Sequence, residues 1–141
     1  MLHEETGRYV MTAVAMGDAA SAAQLVAEHL TGFTYRWATE ADLQDAMAGL
    51  LADSSFEVER EKRLDRRDRP DFLVTADGRA VAVEVKVKGS RTAVLRQLGR
   101  YAEHASVDAI VFASGLRTLA AAMPTAIHSK PVVSIHLESA L

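Results

Sequence analysis

Apolar positions along the chain recur at two periods, and the change between them predicts a helical start followed by a mixed α/β body. Over residues 18–30, strong helix formers carry apolar side chains at Ala22, Leu25, Val26 and Leu30, and a helix is expected there. Residues 8–16 fit a short helix or a strand equally well, and Gly32 ends this first region. Thr39 precedes Glu40, Ala41 and Asp42, the pattern of an N-cap with acids in the first turn. The helix it opens is expected to run to about Asp53, with Leu43, Met47, Leu50 and Leu51 on its buried face.

Alternation then takes over. Residues 56–64 predict a strand with charged outward positions, residues 71–75 a second, and residues 80–87, rich in valine, a central third. Asp77-Gly78 between the last two is a tight-turn signal. A helix is expected over 92–105, with Val94, Leu98, Tyr101, Ala102 and Ala105 on one side. A buried strand over 108–113, a short helix around 116–123 and a last strand over 132–137 complete the pattern. Hairpin-linked strands followed by a helical crossover give an α/β fold, a central mixed sheet flanked by helices in the order α-β-β-β-α-β-α-β. An N-terminal helical extension over 1–38 precedes this core over 39–141, and it is expected to pack on the core or to form a dimer contact.

At 141 residues the chain has room for one domain, and 49% apolar with 25% charged residues is ordinary globular usage. The absence of cysteine excludes disulfides, cysteine-zinc sites and cysteine-ligated clusters. Glu4 and Glu5 stand where an export signal would be positive, and no apolar run approaches the roughly 20 residues of a membrane helix. A soluble, cytoplasmic protein with no membrane partner is the expectation. The net charge of −3 weighs against a strong stand-alone nucleic-acid binder. The charges are unevenly placed, however. Arg60, Lys62, Arg63, Arg66, Arg67 and Arg69 crowd one stretch against Glu61, Asp65 and Asp68, and Lys86, Lys88, Arg91, Arg96 and Arg100 form a second basic group.

The chemistry concentrates at Val83-Glu84-Val85-Lys86-Val87. On a strand, Glu84 and Lys86 share one face while the valines take the other, and their Cα atoms lie roughly 6.6 Å apart. A carboxylate there can hold Mg²⁺, which prefers oxygen ligands, and Lys86 can orient or deprotonate a water, or offset charge on a phosphate. If the strands either side of Asp77-Gly78 pair through that turn, Asp71 falls opposite Glu84. Two like charges side by side repel without a cation between them, which argues for a metal.

Pro70-Asp71 followed by Glu84-x-Lys86 resembles the PD-(D/E)XK nuclease superfamily, the restriction-endonuclease-like fold, over residues 39–137. The resemblance implies a Mg²⁺-dependent nuclease that hydrolyses phosphodiester bonds in DNA, with Mn²⁺ able to substitute. It implies metal ligation by Asp71 and Glu84, and by Glu40 at the start of the first core helix, with Lys86 at the nucleophile. Gln97 and Tyr101 look like the Q-x-x-x-Y signature of the RecB-like branch, which gives Gln97 a place in the catalytic set beside a phosphate. The flanking Arg69, Lys88, Arg91, Arg96 and Arg100, with Tyr101, are the candidate nucleic-acid contacts.

Each feature also has a plainer reading. Glu-x-Lys on a strand is often a solvated face, although charges on a central strand call for a reason. The helix dipole alone accounts for an acid at Glu40, and Tyr101 has the spacing of a core residue. The Arg60–Arg69 run suits a solvated strand edge as well as DNA contact. His3, His29, His104, His128 and His136 lack metal-ligand spacing and read as surface or packed histidines. Beside the nuclease stands a catalytically silent or conditional nuclease-like subunit that binds DNA or a protein partner. So short a chain has little surface for reading sequence, which favours a homodimer or a subunit of a larger nucleic-acid-processing complex. In the third possibility the acidic pair is accidental, with Asp71 and Glu84 on opposite faces of an unrelated α/β domain.

Overall fold

Helix α1 spans Glu4–Thr31, so the 8–16 segment that fits two patterns is helical. The computed structural model describes the backbone of residues 4–139 and the side chains of 18–139. Ala19, Ala22, Ala23, Val26, Ala27 and Leu30 of α1 are buried. Four alanines on that face let the helix backbone lie close to what it covers. Helix α2, Glu40–Ala52, starts at the N-cap that the sequence predicts. Thr39 Oγ1 accepts from Asp42 N–H at 3.1 Å, and the Asp42 carboxylate accepts from Thr39 N–H at 3.1 Å, a reciprocal capping box. Backbone donors from Ala38 and Thr39 hold the Asp42 carboxyl below the usual range. Leu43, Met47 and Leu51 are buried, with Leu50 at the margin.

Strand β1 is Glu57–Arg60, shorter than the 56–64 pattern implies. Glu61 takes a left-handed backbone (φ 52), which breaks the extended chain, and a loop carries it to Asp71. Strands β2 (Phe72–Ala76) and β3 (Arg79–Lys86) follow, joined by Asp77 (φ 50) and Gly78 (φ 76). Two positive φ angles make the tight turn whose twist suits a hairpin. The resulting register pairs Phe72 with Val83, so Asp71 falls beside Glu84 as the hairpin predicts.

Helix α3 is Arg91–Ala102, capped by Ser90. It ends earlier than expected, so Ala105 lies beyond it and is exposed, while Val107 is buried. Strand β4 (Ala109–Ser114), helix α4 (Arg117–Ala121) and strand β6 (Lys130–His136) match the remaining pattern. Strand β5, Ala126–Ile127, is too short for any periodicity to signal. The six strands form one mixed sheet in the order β1-β2-β3-β4-β6-β5, with β3–β4 and β4–β6 parallel and the other pairs antiparallel.

The sheet separates two cores. Val81, Val83 and Val85 face α1 and α2, while Ala82, Ile110 and Phe112 face Leu98, Tyr101 and Leu119. Glu84 and Lys86 therefore share the α3 side with Ala82. Tyr35, after α1, donates its N–H to Glu138 O at 2.9 Å and bridges to Ser139, tying the helical extension to the end of the described chain. Among the described residues no helix is long and apolar enough to cross a membrane.

Candidate active site

Asp71 is held from three directions. Its Oδ2 accepts from Val85 N–H at 2.8 Å, which draws the side chain across to β3. Its Oδ1 accepts from Gln44 Nε2 at 3.0 Å, and its carbonyl accepts from Glu61 N–H at 2.8 Å. Gln44 lies one turn along α2 from Glu40, a spacing that sets both on one helix face. The Oε1 of Glu40 accepts from Val87 N–H at 3.1 Å, so the start of α2 is fastened to the end of β3.

Glu84 is 3% exposed. Its Oε1 accepts from the Tyr101 hydroxyl at 2.9 Å and, at 3.4 Å, from Asp71 N–H. Its Oε2 faces Lys86 Nζ at 3.3 Å. The Tyr101 hydroxyl in turn accepts from Gln97 Nε2 at 3.0 Å. Glu40, Asp71, Glu84 and Lys86 are thus brought together, and Gln97 reaches them through Tyr101.

The electrostatics of the pair is unfavourable as it stands. Burial pushes the Asp71 carboxyl up to about 6; Val85 N–H and Lys86 pull it down, while Glu40 and Glu61 push it further. Burial and then the Asp71 charge push Glu84 up to about 7, against Lys86 and the Tyr101 hydroxyl. Burial and Glu84 raise the Tyr101 hydroxyl above its ordinary value, which keeps it a proton donor. A buried and a half-buried carboxylate with a single adjacent ammonium group carry excess negative charge when ionised, and each acid has lone pairs to spare. The donor set, carboxylates only, suits a hard divalent cation.

The predicted nucleic-acid contacts divide. Lys88, Arg91 and Arg96 are exposed near the start of α3, and Arg91 Nε donates to Ala122 O at 3.2 Å. Arg69 lies 3.6 Å from Glu61. Arg100 instead donates its Nε to Asp68 Oδ1 at 2.9 Å.

Asp68, one acid of the charged 60–69 run, is 2% exposed. Its Oδ2 lies 2.9 Å from His104 Nε2, and Arg67 adds a longer contact at 3.3 Å. Burial pushes the Asp68 carboxyl up, but His104, Arg100 and Arg67 outweigh it and leave it below the usual range. Asp65, Asp68 and His104 lie close enough to share an ion. Two guanidinium groups already balance Asp68, however, and the cluster works as a clamp between the 61–71 loop and α3. Gln97, Arg100 and Tyr101 follow helical spacing along one face of α3, with His104 just past its end, a signal for the clamp present in the sequence. Gln44 left no comparable sign.

No protein-family model matches the sequence, and no curated protein matches it either. Among solved structures the chain is similar to the small subunit of the heterodimeric restriction endonuclease R.BspD6I, at 13% identity and a TM-score of 0.47. That match covers 86% of this chain and 72% of the other, a likeness too distant to fix a family.

Proposed function

We propose that the chain is a Mg²⁺-dependent nuclease with a restriction-endonuclease-like core, acting on DNA, and that Mn²⁺ substitutes for Mg²⁺. The observation that carries this reading is the pairing of half-buried Asp71 with buried Glu84, with Lys86 Nζ 3.3 Å from Glu84. Asp71 and Glu84 hold the metal, and Glu40 joins them from α2. When bound, the metal polarises the phosphate and activates water. Lys86 orients the attacking water and offsets charge on the phosphate. Tyr101 fixes the Glu84 carboxylate by donating to Oε1, and Gln97 fixes Tyr101. Lys88, Arg91 and Arg96 attract the phosphate chain.

The test is cleavage of plasmid and single-stranded DNA with Mg²⁺ or Mn²⁺ by wild type, Asp71→Ala and Lys86→Ala. Each variant is expected to lose about 100-fold or more. Activity that survives both substitutions overturns the assignment.

A second reading, a nuclease-like subunit that binds DNA or a protein partner without cutting, draws on the net charge of −3 and on exposed Leu25 and Phe33. These are apolar positions available to a second copy or to a larger complex. Mass in solution, with and without DNA, separates the two. A species that binds Mg²⁺ and cuts nothing supports the second.

A further inference from the structure

Three loops meet where the parallel strands β3 and β4 end. Arg36-Trp37 leads into α2, and the bond from Val87 N–H to Glu40 fixes that lead beside the end of β3. Lys88 is the second residue past β3. Gly115 follows β4 and donates its N–H to Lys86 O at 3.2 Å.

The ring of Trp37 lies on Gly115. A Cβ at that glycine would stand 2.6 Å from Trp37 Cζ2 and 3.4 Å from Cε2 and Cη2, too close for any side chain without moving the indole. Trp37 nevertheless stays partly exposed. The large ring is thus fixed at the margin of the core that faces α1 and α2, partly open to solvent and one hydrogen bond away from the backbone of Lys86.

Its surroundings are cationic. Arg36 and Lys88 come from these loops and Arg117 from the first position of α4, two residues past Gly115; all are exposed, and none makes an ion pair among the described residues. The Asp42 carboxylate, kept ionised by its capping-box bonds, offsets part of this charge and leaves the balance positive. Ring and cations together are the two components of single-strand binding, since every base has a face to stack and every nucleotide a phosphate to neutralise. A duplex keeps its base faces in its own stack.

We infer that Trp37, flanked by Arg36, Lys88 and Arg117, is a stacking platform for an unpaired base of a nucleic-acid strand whose phosphates enter the Asp71–Glu84 site. This rests on the nuclease reading and narrows its substrate to strands with single-stranded character.

Trp37 is the chain's one tryptophan, so its emission reports on this position alone. The full chain is titrated with a thymidine oligonucleotide and with a blunt duplex of the same length, in Ca²⁺ to hold off cleavage. The single strand is expected to quench the emission saturably and the duplex to leave it nearly unchanged. Trp37→Leu should weaken single-strand binding roughly 5- to 100-fold, the range of one base–aromatic stack, while Trp37→Phe stays within about threefold. Arg36→Ala should flatten the dependence of log K on log salt by about 0.7. Equal quenching by both probes overturns the inference, as does wild-type affinity in a Trp37→Leu protein with native circular dichroism. Should the leucine variant not fold, the wild-type quench and the phenylalanine variant decide. Failure here with metal-dependent cleavage intact removes the platform alone. Cleavage that survives Asp71→Ala and Lys86→Ala removes the nuclease reading and leaves the stacking result standing as binding.

Discussion

Asp71→Asn removes one charge from the acidic pair and keeps its shape. Val85 N–H still meets the amide oxygen, and Gln44 can turn its own amide to accept from the new NH₂ group. In the native protein burial lifts the Asp71 carboxyl from 3.8 to about 6. That separation corresponds to ~3 kcal/mol by which the ionised acid opposes folding. Asp71 keeps some contact with solvent, which reduces the figure to about 2 kcal/mol. A raised carboxyl contributes stability below its ordinary value and loses it as pH rises through the folded value. The contribution of the pair therefore falls as pH climbs through about 6 for Asp71 and about 7 for Glu84.

Urea unfolding in a chelator at about pH 8 should find the variant more stable than wild type by about 2 kcal/mol, or roughly 5 °C in Tm. At about pH 3, below the ordinary carboxyl value, where the acids are protonated folded and unfolded alike, the difference should vanish. Mg²⁺ at a hundred times its Kd should raise wild type by ~2.7 kcal/mol and leave the variant nearly unmoved, reversing the order. A variant less stable than wild type at about pH 8 in chelator refutes the reasoning, and so does a difference that ignores pH.

Tyr101→Phe deletes the donor to Glu84 and should cost about 1 kcal/mol in chemical unfolding. Because that bond favours the ionised acid, Glu84 should then titrate higher, and the acid limb of the cleavage profile should move to higher pH. An unmoved profile would deny Tyr101 its role. Asp68→Ala leaves Arg100 and His104 without their shared partner and should cost about 1–2 kcal/mol at neutral pH, since Arg100 can rehydrate. The Asp68 carboxyl lies below its ordinary value, so its contribution is present above that value and lost as pH falls through the folded one. The cost should therefore shrink in acid, as urea melts across pH would report.

The placement of Asp71 beside Glu84 was legible because every step of it is local. Asp77-Gly78 dictates a two-residue turn, the turn dictates the register, and alternation dictates the face. Thr39 marked the start of α2 for the same reason, since a cap is a contact within one turn. What stayed hidden depends on how elements pack. Nothing local says that Gln44 will reach Asp71 across 27 residues, or that Asp68 will be buried within a charged stretch. Residues 61–64 read as the end of a strand because alternation continues past Arg60, and the left-handed backbone at Glu61 stops it. Arg100 shows the limit of counting charges, because a cation assigned to phosphate on composition is engaged by a buried aspartate.

The docking of α1 on the sheet has a consequence for how the chain assembles. The helix lies against β6, and Tyr35 joins Glu138 and Ser139, so early and late segments complete one another. During synthesis α1 leaves the ribosome long before its partner strand exists. Over its described side chains the waiting face is mostly alanine, which offers little apolar area for mistaken association. The same economy makes the helix a weak early nucleus. Folding should start in the β2–β3 hairpin and end with α1 settling on β6, a late closure that links two segments far apart in sequence.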